Sequence, residues 1–286
     1  MAHKPNSPVN DARPPIRWTD LASWHPQLTS ALSDVLRPGA VDRLSAVESS
    51  ELYDDDSEWL ELVLGEFSGN EKAFLELVDQ ALEWSRVRTF HGTRTADARS
   101  FTHEGIRLHD RPKLEAEVRS LVAREPTLHG MADRLDEAFA RTAHLIDHGR
   151  CFVVVDERVL IEECGHYLLG GSEFVQGILG PQAARSVLSD CAPTVIEVDL
   201  PLSRVPPSQL REFSRTLVGE WAKILRRPRA EPRYLDFSFC LQEPIPAAWV
   251  AGHFHPLAVH DPHEGRRSVP TRQADCAACA HASSDA

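Results

Sequence analysis

The spacing of apolar residues changes at residue 87, and this change constrains the fold more than any other feature of the sequence. Before it, segments 20–37, 57–67 and 70–87 have apolar residues three and four positions apart, the spacing of amphipathic helices. After it, short runs rich in β-branched and aromatic residues, such as 151–156, alternate with further helical segments. These runs recur irregularly, without the steady β-α-β order of a doubly wound sheet. The sequence therefore predicts an α+β fold.

The same change predicts how the chain is organised. Residues 1–19 are rich in Pro, Asn and Asp, and residues 261–286 lack an apolar period, so we expect both ends to be disordered. Between them, residues 20–85 are predicted to form a helical N-terminal region. Residues 86–260 are predicted to form the domain that mixes strands and helices.

The charge of the chain limits its partners. Asp and Glu outnumber Lys and Arg by 43 to 31, for a formal net charge of -12. This excess disfavours broad adsorption to nucleic acid or to anionic lipid. The sequence has neither an apolar run of about 20 residues, which a membrane helix needs, nor the apolar core of a signal peptide. We therefore expect a cytoplasmic protein without membrane association.

The first residues with a chemical role lie at the start of the mixed domain, in VRTFHGTRTADARSFTHEGIRLHD (87–110). Its apolar lead-in predicts a strand that ends at His91, Gly92 and Thr93, followed by a polar connection and a turn at Gly105. A histidine ring N–H can donate to a ligand hydroxyl, and a glycine lets a planar ligand approach the backbone. For the dipeptide alone, the alternative is a partly buried histidine beside a turn glycine.

This arrangement resembles the first strand of the ADP-ribosyltransferase superfamily, in which His-Gly-Thr or His-Gly-Ser closes a strand. The likeness is clear over some twenty residues and extends over 87–258 by the order of elements. It implies a split, twisted pair of small antiparallel sheets that binds NAD, as in the His-Tyr-Glu branch with the poly(ADP-ribose) polymerases and diphtheria toxin. It further implies that His91 bonds the nicotinamide ribose and that the Gly92 backbone, next to Thr93, holds the carboxamide.

The second half of such a site falls in GHYLLGGSEF (165–174). The resemblance implies a tyrosine that stacks on the nicotinamide ring, and Tyr167 is the candidate for that role. The chain departs from the family here, because two predicted helices separate Tyr167 from His91. Alternatively, Tyr167 is a half-buried core aromatic residue. Ser172 and Glu173 either face the site or act as an ordinary helix cap with a first-turn acid.

The catalytic carboxylate has three candidates in the sequence: Glu173, Asp236 and Glu243. A carboxylate is needed because departure of nicotinamide leaves an oxocarbenium-like ribose, whose positive charge a fixed anion stabilises. We favour Glu173, which follows the tyrosine closely, and then Asp236, at the start of a predicted strand. Arg94 and Arg88 either bind the NAD pyrophosphate or are ordinary surface arginines.

The predicted function is therefore NAD-dependent ADP-ribosyl transfer to a macromolecular acceptor, a protein rather than a nucleic acid, or else NAD glycohydrolysis. One alternative is a binding module of the same fold without catalysis. Another is a metal-dependent hydrolase, which would use histidines near the C-terminus. We expect no metal at these histidines, because the segment runs into the predicted tail and contains no H-x-x-E-H or H-E-x-x-H helix. We expect none at the Cys-x-x-Cys motif either, because no second cysteine pair completes a tetrahedral zinc site. The residues of these two segments are His253, His255, His260 and His263, and Cys276, Cys279 and His281.

Overall fold

The computed structural model describes residues 14–47, 56–145, 149–227 and 231–271, together with Cys279. Contacts between Cα atoms divide the chain into two units. The first comprises residues 1–88 and 199–237, and the second comprises 89–198 and 238–286. The α+β class predicted from the sequence is confirmed. Segment 199–237, which the sequence analysis assigned to the mixed domain, groups with the N-terminal helices instead.

Among the described residues, four α-helices precede the first strand, α-helices lie between the first four strands, and the last four strands follow one another without an α-helix. The helices are α1 (His25–Ser33), α2 (Ala40–Ser45), α3 (Asp56–Gly65), α4 (Glu71–Leu82), α5 (Arg99–Glu104), α6 (Arg111–Arg124), α7 (Leu135–Thr142), α8 (His166–Gly170), α9 (Glu173–Leu179), α10 (Pro181–Val187) and α11 (Pro207–Arg226). The strands are β1 (Arg86–Thr95), β2 (Cys151–Val154), β3 (Ala192–Pro201), β4 (Ser238–Leu241), β5 (Val250–Phe254), β6 (Ala258–Asp261) and β7 (Arg267–Pro270). Within the described ranges, no helix has both the length and the apolar character needed to cross a membrane.

The first unit is helical, and α11 lies at its centre. This helix packs against α2, α3 and α4 through an apolar face with the three- and four-residue spacing of an amphipathic helix. The Trp221 indole N–H also donates to Thr29 Oγ1 at 2.8 Å. This packing explains why the segment groups with the N-terminal helices. The buried residues of that face include Leu210, Phe213, Leu217, Trp221 and Ile224.

Residues 14–19 have a defined structure, so the prediction of disorder for 1–19 is wrong for these six residues. Ile16 forms a β-bridge with Val87, and its side chain is buried. Trp18 is also buried, and its indole N–H donates to the Arg233 carbonyl at 2.8 Å. Residues 1–13 lie outside the described part of the chain.

The second unit contains most of a five-stranded sheet with the order β4-β2-β1-β3-β5. Strand β2 pairs antiparallel with both β1 and β4, and β3 pairs antiparallel with β5. The sequence predicted that β1 ends at His91, Gly92 and Thr93. The strand instead continues to Thr95, so His91 and Gly92 lie within it. The polar residues that suggested a loop are partly buried residues of the strand.

The end of α5 explains one glycine of the opening motif. The predicted polar connection after the strand contains this short helix, and Gly105 is its C-cap. Gly105 has a φ of 76°, and a Cβ atom built on it would lie only 2.0 Å from the Ile245 carbonyl oxygen. The next residue, Ile106, exchanges two backbone hydrogen bonds of 2.9 Å with Ile245. The turn therefore requires a glycine, because the chain at Ile245 passes directly against its backbone.

The remainder of the second unit consists of a helical layer and a hairpin. The helical layer has an apolar core formed by α6, α7, α9 and α10, in which Phe139 and Phe174 stack with ring centroids 5.9 Å apart. Strands β6 and β7 pair antiparallel, from Ala258 opposite Pro270 to Asp261 opposite Arg267. The prediction of a disordered tail is therefore wrong for residues 261–271. Apart from Cys279, the rest of that predicted tail lies outside the described residues.

Candidate functional site

The two segments singled out in the sequence lie side by side. Helix α8, which contains Tyr167, packs against β1 at Gly92 and Arg94. A Cβ atom built on Gly92 would lie 3.1 Å from Leu160 Cδ2 and 3.5 Å from Leu168 Cδ2. Two residues further along β1, the Arg94 guanidinium donates through Nη1 to the Leu169 carbonyl at 2.6 Å.

This packing gives Gly92 a role that the sequence did not suggest. The volume that a side chain would occupy is filled by the Leu160 and Leu168 side chains, which come within van der Waals distance. A larger residue would have to displace a leucine from a packed interface. A small residue is therefore needed at position 92 for packing, independently of any contact with a ligand.

The hydrogen bond of His91 defines how its imidazole can meet a ligand. Its Nδ1 lies 3.0 Å from the Phe152 carbonyl oxygen, which only accepts, so in the neutral ring Nδ1 bears the proton. Burial lowers the pKa of His91 below its ordinary value, nearby His109 lowers it further, and the bond to Phe152 opposes both effects. The ring is thus neutral at pH 7, with its lone pair on Nε2. The predicted role as a donor is corrected: Nε2 would accept a bond from a ligand hydroxyl.

Tyr167 and Glu173 form a hydrogen-bonded pair. The Tyr167 hydroxyl donates to Glu173 Oε1 at 3.0 Å, and Nε2 of His166 lies 3.4 Å from the same oxygen. The His166 and Tyr167 rings are in contact, with centroids 4.1 Å apart. The Glu173 side chain is exposed, with about half of its surface accessible (47%), so the carboxylate is held in place yet open to a ligand.

The helix start that holds Glu173 is built by Ser172. The Ser172 hydroxyl oxygen accepts a bond from the backbone N–H of Val175 at 3.3 Å, which makes Ser172 the N-cap of α9. Its role as a cap, one of the two alternatives, is confirmed. The cap fixes Glu173 as the first residue of the helix, next to α8.

His166, which shares the Glu173 carboxylate, has no role predicted from the sequence. Burial lowers the pKa of His166, and His263 adds to this, whereas the Glu173 carboxylate raises it. The His166 and His263 rings lie 5.7 Å apart between centroids. The sequence feature that could have indicated this role is the His-Tyr dipeptide at the start of α8. Two adjacent residues there can both reach a side chain at the start of α9.

The two arginines proposed for pyrophosphate binding have structural partners. Nε of Arg94 donates to the carbonyls of Leu188 and Cys191 at 2.8 and 3.0 Å, in addition to its Nη1 bond to Leu169. Arg94 therefore holds the ends of two helices against β1. In the first unit, Arg88 forms a buried ion pair with Asp199 at 2.6 Å.

The other residues predicted for the site, Thr93, Asp236 and Glu243, lie in different parts of the structure. Thr93 is partly buried within β1. Asp236 is exposed, belongs to the first unit and precedes β4, which begins at Ser238 and not at Asp236 as expected. Glu243 is exposed in the second unit, after the end of β4. Of these three carboxylates, Glu173 is the one that accepts the described hydrogen bond from Tyr167.

A cavity of about 260 Å³ lies on the Arg94 side of β1. Its lining includes Leu169, Arg185 and Cys191. His91 and Glu173, which are both described in the structure, do not line it. The Arg185 guanidinium at its wall is bonded to the buried carboxylate of Asp261. The cavity is slightly smaller than the roughly 300–1,000 Å³ of ordinary ligand pockets. It could therefore hold only part of a dinucleotide.

A second group of chemically active side chains lies at β5. His253, His255 and Cys279 each offer a metal-ligating atom, and these atoms lie within 4.8 Å of one another. The other two histidines of that segment are elsewhere: His260 is in β6, and His263 lies beside His166. Cys276 and His281 lie outside the described residues.

Comparisons with known proteins give no relative for this arrangement: no family model, no curated protein and no solved structure matches the chain.

Proposed function

We propose that this chain consumes NAD, releasing nicotinamide and passing ADP-ribose to a macromolecular acceptor or to water. The observation that carries the proposal is the Tyr167–Glu173 hydrogen bond on a segment that packs against Gly92 of β1, the residue after His91. His91, Gly92 and Tyr167 are the candidates that the resemblance to ADP-ribosyltransferases implies, and Glu173 is the favoured one of the three candidate carboxylates. The antiparallel sheet with helices inserted between its strands supports the same assignment.

The chemistry requires little covalent participation by the protein. The bond between the nicotinamide nitrogen and the ribose C1′ breaks, and its electron pair leaves with neutral nicotinamide. The ribose that remains has oxocarbenium character, and a nucleophilic oxygen, nitrogen or sulfur atom of the acceptor bonds to C1′ and loses its proton. A carboxylate beside the ribose stabilises the transition state, since its charge is opposite to the charge that develops there.

In this proposal we assign each residue a role that its described contacts allow. Glu173 supplies the anion, and the Tyr167 hydroxyl orients it while the tyrosine ring remains available to stack on nicotinamide. His91, neutral and with its lone pair on Nε2, accepts a hydrogen bond from a ribose hydroxyl. His166 shares the Glu173 carboxylate, so it is a positioning residue for that anion.

The test is release of nicotinamide from NAD by the purified full-length chain, followed by chromatography with and without candidate protein acceptors. Glu173→Gln preserves the shape of the side chain and removes its charge, so we expect a loss of about 100- to 1,000-fold in rate. Glu104→Gln is the matched control, because Glu104 is an exposed carboxylate of the same unit with a surface partner, Arg107. It should retain the wild-type rate.

Calorimetric titration with NAD separates the proposal from its main rival. Binding without release of nicotinamide, in the presence of every acceptor tried, would indicate a non-catalytic module. A chain that neither binds NAD nor releases nicotinamide would refute the proposal altogether.

A further inference from the structure

The end of β5 places two histidines on one side of an extended chain. His253 and His255 are separated by one residue, a spacing that directs side chains to the same face of a strand. Their ring centroids are 5.3 Å apart, and the rings are nearly perpendicular. Two imidazoles in this relation can direct one nitrogen each to a common point.

Cys279 completes a cluster of three ligands. Its Sγ lies 3.4 Å from His253 Nε2, and the three ligand atoms of the cluster are all within 4.8 Å of one another. Around a tetrahedral zinc ion, with bonds of about 2.0 Å to nitrogen and 2.3 Å to sulfur, neighbouring ligand atoms are roughly 3.5 Å apart. The thiol–imidazole distance already fits, and each of the other two distances needs to shorten by no more than about 1.3 Å.

The tautomer of His255 is fixed by its neighbours on β3. Its Nδ1 lies 2.8 Å from the Pro193 carbonyl oxygen and 3.2 Å from Thr194 Oγ1. The Thr194 hydroxyl donates its own proton to the Ala192 carbonyl, so both neighbours of Nδ1 act as acceptors. In the neutral ring Nδ1 therefore bears the proton and Nε2 the lone pair. A histidine held through Nδ1–H by a backbone carbonyl is the usual arrangement at metal sites.

A neighbouring carboxylate and the donor set favour a zinc ion. Glu197 Oε2 lies 2.9 Å from the position that a Cβ atom built on Gly252 would take. Glu197 pairs across the strands with Gly252, the residue before His253. Two imidazoles and a thiolate form a mixed nitrogen and sulfur donor set, which zinc prefers over the hard cations calcium and magnesium.

From these observations we propose that His253, His255 and Cys279 bind a zinc ion that ties the chain at Cys279 to β5. Strand β5 is at one edge of the five-stranded sheet, where a cross-link adds order to a strand with a single neighbour. Three protein ligands leave one coordination position for a further donor. The inference is independent of NAD turnover, and it replaces the sequence-based expectation of no metal site.

The first test measures zinc in the full-length chain purified without chelators. Elemental mass spectrometry should find about one zinc per chain. His253→Ala, His255→Ala and Cys279→Ser should each weaken zinc binding by about 100-fold or more, since loss of an outer partner alone costs about 10- to 100-fold. His129→Ala and Cys164→Ser are the matched controls, because they remove the same residue types from other parts of the second unit.

The second test identifies the sulfur ligand even if a variant is poorly folded. The metal-free full-length wild type is titrated with cobalt(II), and we expect a thiolate-to-cobalt charge-transfer band in the near ultraviolet. The band should persist in Cys164→Ser and disappear in Cys279→Ser, with circular dichroism reporting the fold of each. If Cys279→Ser kept the band, or the wild type bound neither zinc nor cobalt, the proposed site would be wrong. Alkylation of Cys279 at equal rates with and without zinc would also overturn it, because a bound thiolate is protected.

Discussion

Replacing Arg94 by Met distinguishes a structural arginine from a ligand-binding one. The substitution keeps the length of the side chain but removes the Nε and Nη1 donors, whose distances to the carbonyls of Leu169, Leu188 and Cys191 are 2.6 to 3.0 Å. A hydrogen bond from a charged group contributes about 1.5–3 kcal/mol, and the two acceptors of Nε share one donor. We therefore expect a local loss of about 3 kcal/mol.

Hydrogen exchange followed by mass spectrometry measures this loss where it occurs. If exchange is limited by local opening, a loss of about 3 kcal/mol accelerates it by roughly 100-fold in peptides that cover α8 and residues 188–191. Arg99→Met is the control, because Arg99 is half exposed and its ion pair with Asp97 lies at the surface. Such a pair contributes at most about 1 kcal/mol, so exchange in those peptides should stay at the wild-type rate.

The opposite pattern would refute this account of Arg94. If Arg94→Met left exchange around α8 and residue 191 unchanged but raised the KM for NAD, the guanidinium would be a pyrophosphate ligand. The carbonyl contacts would then be incidental to its role.

Three further predictions concern the turn, the buried histidines and the tyrosine. Gly105→Ala should destabilise the second unit by about 3 kcal/mol or more in a urea titration, since its Cβ atom would overlap the Ile245 carbonyl and its φ is positive. Gly130→Ala is the control, because the space around Gly130 is open, and it should leave the free energy of unfolding unchanged. Burial lowers the pKa values of His91 and His166, so the unfolded chain binds more protons below pH 6.5. The free energy of unfolding should therefore be level above about pH 7 and fall as the pH drops below 6.5, with a shallower fall in His91→Gln; equal slopes would contradict this. Tyr167→Phe removes one bond to Glu173 and should lower NAD turnover by about 10-fold with little effect on stability, as measured by nicotinamide release and thermal unfolding.

The elements of the fold could be predicted from local patterns, but their partners could not. The apolar spacing in α11 predicted a helix without indicating that its face packs against α3 and α4. In β1, the polar residues beyond Phe90 suggested a loop. They are strand residues because their neighbours come from distant segments, such as Leu160 against Gly92. The segments predicted to be disordered were too long, because the pairing of Ile16 with Val87 and of β7 with β6 could not be predicted from local patterns.

The sequence offered His91, Tyr167 and Glu173 as candidate site residues, and their roles stay predictions. The structure adds the hydrogen bond that joins Tyr167 and Glu173. The sequence could not give the tautomer of His91, which depends on a carbonyl at Phe152 in another strand. Likewise, His253 and Cys279 were both noted in the sequence, but nothing in their spacing indicates that they lie 3.4 Å apart.

The central claim is that His91, Tyr167 and Glu173 act on one nicotinamide riboside. A crystal structure of the full-length chain with a non-hydrolysable NAD analogue tests it directly. We expect the nicotinamide ring against Tyr167, one ribose hydroxyl bonded to His91 Nε2, and another bonded to the Glu173 carboxylate. An analogue bound only in the cavity beside Arg94 and Arg185, without contact to His91 or Glu173, would contradict the claim.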